Sequence, residues 1–293
     1  MNLLITGGTG FIGQPLTRTL LEHHSVTVWC RNPTRVVDGA RAITALDDYG
    51  EGTPDAIINL AGENIAARRW SAARKAALRA SRIDTTAALG HWLSTRAAPP
   101  SVLISGSAIG VYGLSAGDDP VTESDTGDAS FSSTLCRDWE QAAERACPEG
   151  TRLCLLRTGI VLGDGGALAK MLPPFRLGLG GVIGSGSHWM PWIHIDDIVA
   201  LIVYLLSDER ASGPINAVAP TPVTNRDFTK ALGAVLKRPT VFPMPGPVVK
   251  ALFGEMGDEL LLHGRRVLPA SATALGFRFR FGTLEPALRD LLG

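Results

Sequence analysis

Short runs of consecutive apolar residues recur through the first two thirds of the chain, and they do not alternate with polar ones. They fall at Leu3 to Ile5, Val26 to Cys30, Asp55 to Leu60, Val102 to Ile104, Leu153 to Leu156 and Ile215 to Val218. Such runs mark strands buried on both faces of a parallel sheet. A weaker strand is expected near Ala42 to Ala45, inside an otherwise loop-like stretch from about residue 35 to 52. Helical patterning fills the gaps, from about Phe11 to Leu21 (apolar at Phe11, Ile12, Leu16, Leu20 and Leu21), Ser71 to Ala97 and Phe131 to Cys147. Strand and helix in alternation predict an α/β protein, a Rossmann-type doubly wound parallel sheet.

Beyond residue 163 the pattern changes. A helix over Leu168 to Leu177 leads into a glycine-rich loop, Gly178 to Gly186, then a helix ending at Leu206 that Asp196 or Asp197 is expected to cap. A helix follows over Asn225 to Leu236, and short helices are expected past Pro247. Phe277, Phe279 and Phe281 alternate with Arg278 and Arg280, which reads as a half-buried strand. The expected division is a nucleotide-binding domain over 1–163, which also takes in parts of about 188–220. A smaller substrate lobe covers 164–293, with a small C-terminal domain from about 246.

The first strand runs directly into Gly7, Gly10 and Gly13. Glycines at this spacing between strand and helix allow a tight turn, close approach of the backbone to a pyrophosphate, and close packing of the helix on the strand. The helix N-terminus then offers unpaired N–H groups and a positive dipole end to an anion. Gly7, Thr9, Gly10, Phe11, Ile12 and Gly13 are therefore candidate cofactor-binding residues. Leu60, Ala61 and Gly62, at the end of the fourth strand, are expected to line the same crevice. The second strand ends in Cys30-Arg31-Asn32 without the carboxylate that would bind the ribose 2′-hydroxyl of NAD. Arg31 instead suits the 2′-phosphate of NADP(H), with Asn32 beside it.

Composition narrows the field. The chain has 293 residues, 45% of them hydrophobic, and 28 basic side chains balance 28 acidic ones. No global field recruits nucleic acid or an anionic membrane, and the Phe/Arg alternation near the C-terminus is expected to pack as core. No apolar run reaches membrane-spanning length and no secretory pattern opens the chain, so a cytoplasmic protein is expected. The four cysteines lack metal-binding spacing and the six histidines form no ligand motif, so reduced thiols and no metal are expected. Of the basic residues near the long helix, Arg68, Arg69, Arg74, Lys75, Arg79 and Arg82, most are expected on a solvated face. The acidic stretch from Asp118 to Asp128 reads as an irregular surface loop.

Several motifs resemble the extended short-chain dehydrogenase/reductase superfamily. Gly-x-x-Gly-x-x-Gly opens the chain, the strand at Val102 ends in Ser105-Gly-Ser107 with Val111-Tyr-Gly113 after it, and Trp192-Ile-His-Ile-Asp-Asp197 follows later. The resemblance implies that Ser107 holds a substrate carbonyl or alcohol and that Arg82 and Ile160 touch the cofactor. It also implies that His194 is structural. The superfamily's Tyr-x-x-x-Lys pair, a tyrosine acid/base and the lysine that activates it, is missing from the helix starting at Phe131. With Glu140 placed on the glutamate that often follows that pair, Ser132 stands at the tyrosine position and Cys136 at the lysine position. A serine hydroxyl is too weak an acid to act without an activating base. Tyr112 is then the remaining candidate proton donor.

Asn59-Leu-Ala-Gly-Glu-Asn64, Ser81-Arg-Ile-Asp-Thr-Thr86, Pro174 to Gly181, Gly264-Arg-Arg-Val-Leu-Pro269 and Gly276 to Phe279 together resemble one atypical branch, the epimerase-like family with a small C-terminal domain of unknown function. That resemblance covers the full length. It implies NADP(H) binding, a monomer or homodimer, and an unidentified small or nucleotide-linked substrate. The alternative is an NADP(H)-sensing regulatory module that binds another protein.

Overall fold

In a computed structural model, which describes residues 1–115 and 117–293, the apolar runs lie side by side. The first half of the chain contributes β1 (Asn2–Thr6), β2 (Ser25–Trp29), β3 (Arg41–Ile43), β4 (Ala56–Asn59) and β5 (Val102–Ala108). Then come a short β6 (Pro120–Val121), β7 (Arg152–Thr158), β8 (Ile160–Leu162), β9 (Trp192–His194), β10 (Gly213–Ala217) and β11 (Arg266–Val267). Seven strands form one parallel sheet in the order β10-β7-β5-β4-β1-β2-β3. The chain builds outward through β2 and β3, then returns to the other side of β1 as β4. That reversal opens a crevice beyond the carboxyl ends of β1 and β4, so the expected doubly wound fold is the one observed.

Both faces of the sheet are covered, which is why the strands read as unbroken apolar runs. Leu3, Ile5 and Ile58 pack against α1 (Gly13–Leu21), while Leu4, Ile57 and Leu103 pack against α2 (Ala72–Ser94) on the opposite face. Ser71 caps α2 by accepting from Arg74 N at 3.1 Å, and Ser130 does the same for α3 (Phe131–Ala146). A second core gathers Leu162, Trp192 and Phe281 with apolar residues of α4 (Gly166–Arg176), α6 (Asn225–Leu236) and α9 (Leu284–Leu292). Between these helices come α5 (Ile195–Ser207), α7 (Gly246–Leu261) and α8 (Ala270–Leu275), and α7 breaks at Gly254, where φ is 62°. Among the described residues no helix is long and apolar enough to cross a membrane.

Four local expectations are corrected. The α2 region is not simply a solvated basic face: Arg74 is buried against Glu63, Arg79 pairs with Asp138, and Lys75 reaches Glu255 at 2.6 Å. Helix α5 is capped by His194, whose Nδ1 accepts from Asp196 N at 3.1 Å. Asp197 instead accepts from Arg280 N at 2.7 Å and Phe281 N at 2.9 Å, fastening the C-terminal segment to α5. That segment forms no strand ladder, although its phenylalanines do turn inward while Arg278 and Arg280 stay exposed. The acidic loop is also tied down, because Glu123 Oε1 accepts from Asn216 N and Ser271 N, both at 3.0 Å.

Beneath the sheet's carboxyl end lies a buried polar network. Arg157 and Glu140 are each 7% exposed and form a two-pronged pair, Nε to Oε1 at 2.8 Å and Nη2 to Oε2 at 2.9 Å. Ser107 Oγ donates to Glu140 Oε1 at 2.6 Å. Arg157 Nη1 donates to the Tyr112 hydroxyl at 3.0 Å, and that hydroxyl donates to Asn216 Oδ1 at 2.6 Å. Burial opposes the charge on Arg157, but Glu140 more than offsets it and holds the guanidinium above its ordinary pKa. Removing one partner leaves the other charge buried and alone, so Glu140→Gln and Arg157→Met are each expected to cost about 3–5 kcal/mol in urea unfolding. Ser107→Ala, which removes one hydrogen bond to a charged group, should cost about 1.5–3 kcal/mol.

Candidate functional site

The glycine turn closes as its spacing requires. Gly7 sits at φ +75°, and a Cβ there would meet the Leu60 carbonyl carbon at 2.6 Å. A Cβ on Gly13 would stand 2.1 Å from Gly7 O, so only glycine lets α1 start this close to β1. Gly10 N donates to Gly7 O at 2.9 Å, and Gln14 Nε2 donates to Thr9 O at 3.2 Å, which shapes the loop ahead of the helix. Ile12 is the residue at the helix N-cap, and the first turn of α1 carries no acid, leaving its positive end uncompensated. The segment after β4 passes directly alongside, with Leu60 N on Thr6 O at 3.0 Å and Ala61 N on Thr6 Oγ1 at 3.3 Å.

Gly62 lies against the Arg82 guanidinium, since a Cβ there would meet Arg82 Cζ at 3.1 Å. Arg82 itself gives its N–H groups to Leu78 O and Glu63 O and lies over the Trp139 ring at 5.1 Å. Burial draws it below the ordinary arginine pKa. At the end of β2, Arg31 and Asn32 are both exposed, and Arg31 forms no ion pair among the described residues. Asn32 Oδ1 is already used, accepting from Thr34 N at 3.1 Å and Thr34 Oγ1 at 2.8 Å.

A cavity of about 390 Å³ opens beside the turn. Its near wall holds Phe11, whose ring packs on the turn at Gly163, Gly165 and Gly166, together with Ile160 and the end of β5 at Ala108. Helix α3 contributes Ser132 and Cys136, and the far wall comes from the C-terminal residues Glu259, His263 and Arg265 with His188 beside them. Most of the lining is apolar, as in pockets for small molecules. Burial pushes the Cys136 thiol up to about 12, which leaves it a neutral thiol rather than a nucleophile. Burial pulls the His188 imidazole down to about 4, with His263 adding to the shift, so it is uncharged at neutral pH.

Neither candidate catalytic residue reaches this cavity. The resemblance puts Ser107 at a strand end, and it is the last residue but one of β5, where it pairs with Arg157 of β7. Ser107 is 4% exposed and committed to Glu140. Tyr112 is 1% exposed, and burial pushes its hydroxyl up to about 12 despite the Arg157 charge beside it. The phenol is enclosed, and its hydroxyl is shared between Arg157 and Asn216.

The residue at the vacant tyrosine position does line the cavity. Ser132 Oγ donates to Glu259 Oε2 at 2.6 Å, while Ser132 N and Phe131 N donate to the two oxygens of the same carboxylate at 2.9 and 3.0 Å. Glu259 thus sits on the N-terminus of α3, where the helix dipole favours an anion. The activating base that Ser132 lacks in its own helix arrives from 127 residues further along the chain. No motif marks Glu259 in the sequence. Its one signal is a carboxylate directly before the apolar run Leu260 to Leu262.

Comparison with known proteins shows the family of the chain. Residues 3–218 match the NAD dependent epimerase/dehydratase family, and residues 244–291 match a domain of unknown function, DUF1731. The bovine epimerase family protein SDR39U1 is 40% identical over all of both chains. A crystal structure of human epimerase family protein SDR39U1 with NADPH superposes with a TM-score of 0.92 at 38% identity, covering 100% of this chain and 99% of that one. UDP-glucose 4-epimerase from Thermotoga maritima shares the fold, with a TM-score of 0.79 at 19% identity over 100% of this chain and 97% of its own. With more than two thirds of its length matched by the family and a full-length relative at 40% identity, this chain belongs to the NAD dependent epimerase/dehydratase family.

Proposed function

We propose that the protein is an NADP(H)-dependent, epimerase-like oxidoreductase acting on a small molecule, with Ser132 and Glu259 handling the proton. The observation that carries this reading is the Ser132 hydroxyl held on the Glu259 carboxylate at 2.6 Å in the wall of the cavity beside the glycine turn. The glycine turn fits a dinucleotide, because any Cβ at Gly7 or Gly13 would fill the cradle. Arg31, which forms no ion pair among the described residues, suits a 2′-phosphate. NADPH bound to the human relative supports the same cofactor for this chain.

The nicotinamide cofactor supplies or takes up hydride, and the chain's own residues move the proton. Because Ser132 Oγ gives its hydrogen to Glu259 Oε2, its lone pairs are free to accept from a substrate hydroxyl. As that proton arrives at Ser132 Oγ, the serine's own proton passes to Glu259 Oε2, and the reverse order serves a reduction. Asn59, Thr86 and Thr6 form a buried chain, Thr6 Oγ1 to Asn59 Oδ1 at 2.5 Å and Asn59 Nδ2 to Thr86 Oγ1 at 2.8 Å, which holds β1, β4 and α2 in place around the turn. The four cysteines are free thiols, in keeping with a reducing compartment such as the cytoplasm.

NADPH is expected to bind more tightly than NADH, and Arg31→Ala should weaken NADPH by about tenfold while leaving NADH unchanged. Equal dissociation constants for the two cofactors in fluorescence titration would refute that assignment. In a screen of aldehydes and ketones with NADPH, Ser132→Ala and Glu259→Gln should each lower kcat by about a hundredfold or more, whereas Tyr112→Phe should keep most of it. Full activity in Glu259→Gln would remove the relay. Fast interconversion of UDP-glucose and UDP-galactose is not expected without a Tyr-Lys pair, and a coupled assay for UDP-galactose measures it directly.

A further inference from the structure

The far wall of the cavity carries a charge that nothing in the protein uses. Arg265 lines the cavity, forms no ion pair among the described residues, and has its Nε shut away from solvent without an acceptor. Its neighbour Arg266 also has an Nε without an acceptor, but it does not line the cavity: it reaches Asp118 O at 3.4 Å and lies over the Trp189 ring at 5.3 Å. The other basic groups around the cavity already have a hydrogen-bond or ion-pair partner or are uncharged, although exposed Lys170 keeps its charge. Lys170 Nζ donates to Ala66 O at 2.6 Å, His263 Nε2 faces Asp258 Oδ1 at 3.3 Å, and His188 is uncharged at neutral pH. A guanidinium in an apolar wall is costly until an anion meets it, and its planar fork matches a carboxylate with two parallel bonds.

We infer that Arg265 anchors the carboxylate of a small, otherwise apolar acid, whose chain lies along the cavity toward Ser132. This rests on the oxidoreductase reading of the cavity as a substrate site and names the substrate's class. Charge favours a monoanion over a nucleoside diphosphate, because the Glu259 carboxylate in the same cavity repels each further negative charge. Size points the same way, since 390 Å³ lies near the lower end for ligand pockets.

Calorimetric titration of the NADPH-saturated protein with hexanoate, hexan-1-ol and UDP-glucose tests the assignment. Hexanoate should bind about tenfold or more tightly than hexan-1-ol, and Arg265→Gln should erase that advantage while the NADPH dissociation constant stays within about twofold. Arg265→Lys, which keeps the charge and loses the fork, should fall between the two. Equal binding of acid and alcohol overturns the assignment, as does an undiminished preference in Arg265→Gln. Tighter, Arg265-dependent binding of UDP-glucose overturns it in favour of a nucleotide-linked substrate. If wild-type protein binds no NADPH, the oxidoreductase reading falls, and hexanoate titration of the cofactor-free protein still judges Arg265.

Discussion

The paired charges of Arg157 and Glu140 set the position of everything around the cavity. Both are buried, so each needs the other as its charge partner, and the pairing fixes how α3 lies over β5 and β7. With α3 fixed, Ser132 and Cys136 necessarily face the space beyond β5, and the first backbone N–H groups of the helix point at the C-terminal lobe. Ser107, Tyr112 and Asn216 are drawn into the same network because each supplies or accepts a hydrogen bond that the buried pair or its neighbours need. Their polar groups are spent on holding the scaffold and are unavailable to a ligand.

Glu259 makes the C-terminal residues part of the site rather than an appendage. A carboxylate at a helix N-terminus stabilises the helix on its own account, and here the same group also holds the serine hydroxyl that faces the cavity. The break at Gly254 separates the two halves of α7 and lets the second half, which carries Glu259, take its own direction. Asp197 then ties the chain beyond α8 back to α5, so the lobe is anchored to the sheet side at both places.

What was legible in the sequence was local. The glycine spacing predicts a turn that depends on atoms only a few residues apart, and the strand runs and the helix over Asn225–Leu236 follow from nearest-neighbour periodicity. The misses depend on distant partners. Ser107, near the end of β5, turns to Glu140, and the hydroxyl of buried Tyr112 goes to Asn216, 104 residues away. Glu140 was visible only as an alignment marker, though its real role is to pair with Arg157. The phenylalanines near the C-terminus show a correct inward pattern without a strand, since burial alone produces alternation and a ladder needs a neighbouring edge.

Replacing a tyrosine and lysine by a serine and a distant glutamate changes where the proton rests. A tyrosine activated by lysine stores and releases the proton at its own oxygen, whereas a serine hydroxyl is too weak an acid to hold that role and can only pass the proton on. In the proposed relay the serine passes the proton to a carboxylate that belongs to a different part of the chain. The lysine's second task, gripping the ribose, has no replacement at Cys136, whose thiol is buried and neutral. Holding the dinucleotide must fall more heavily on the turn from Gly7 to Gly13, the end of β4 and Arg31. The strict steric demand at Gly7 and Gly13, where the backbone of β4 and of the turn itself leaves no room for a methyl group, is in keeping with that burden.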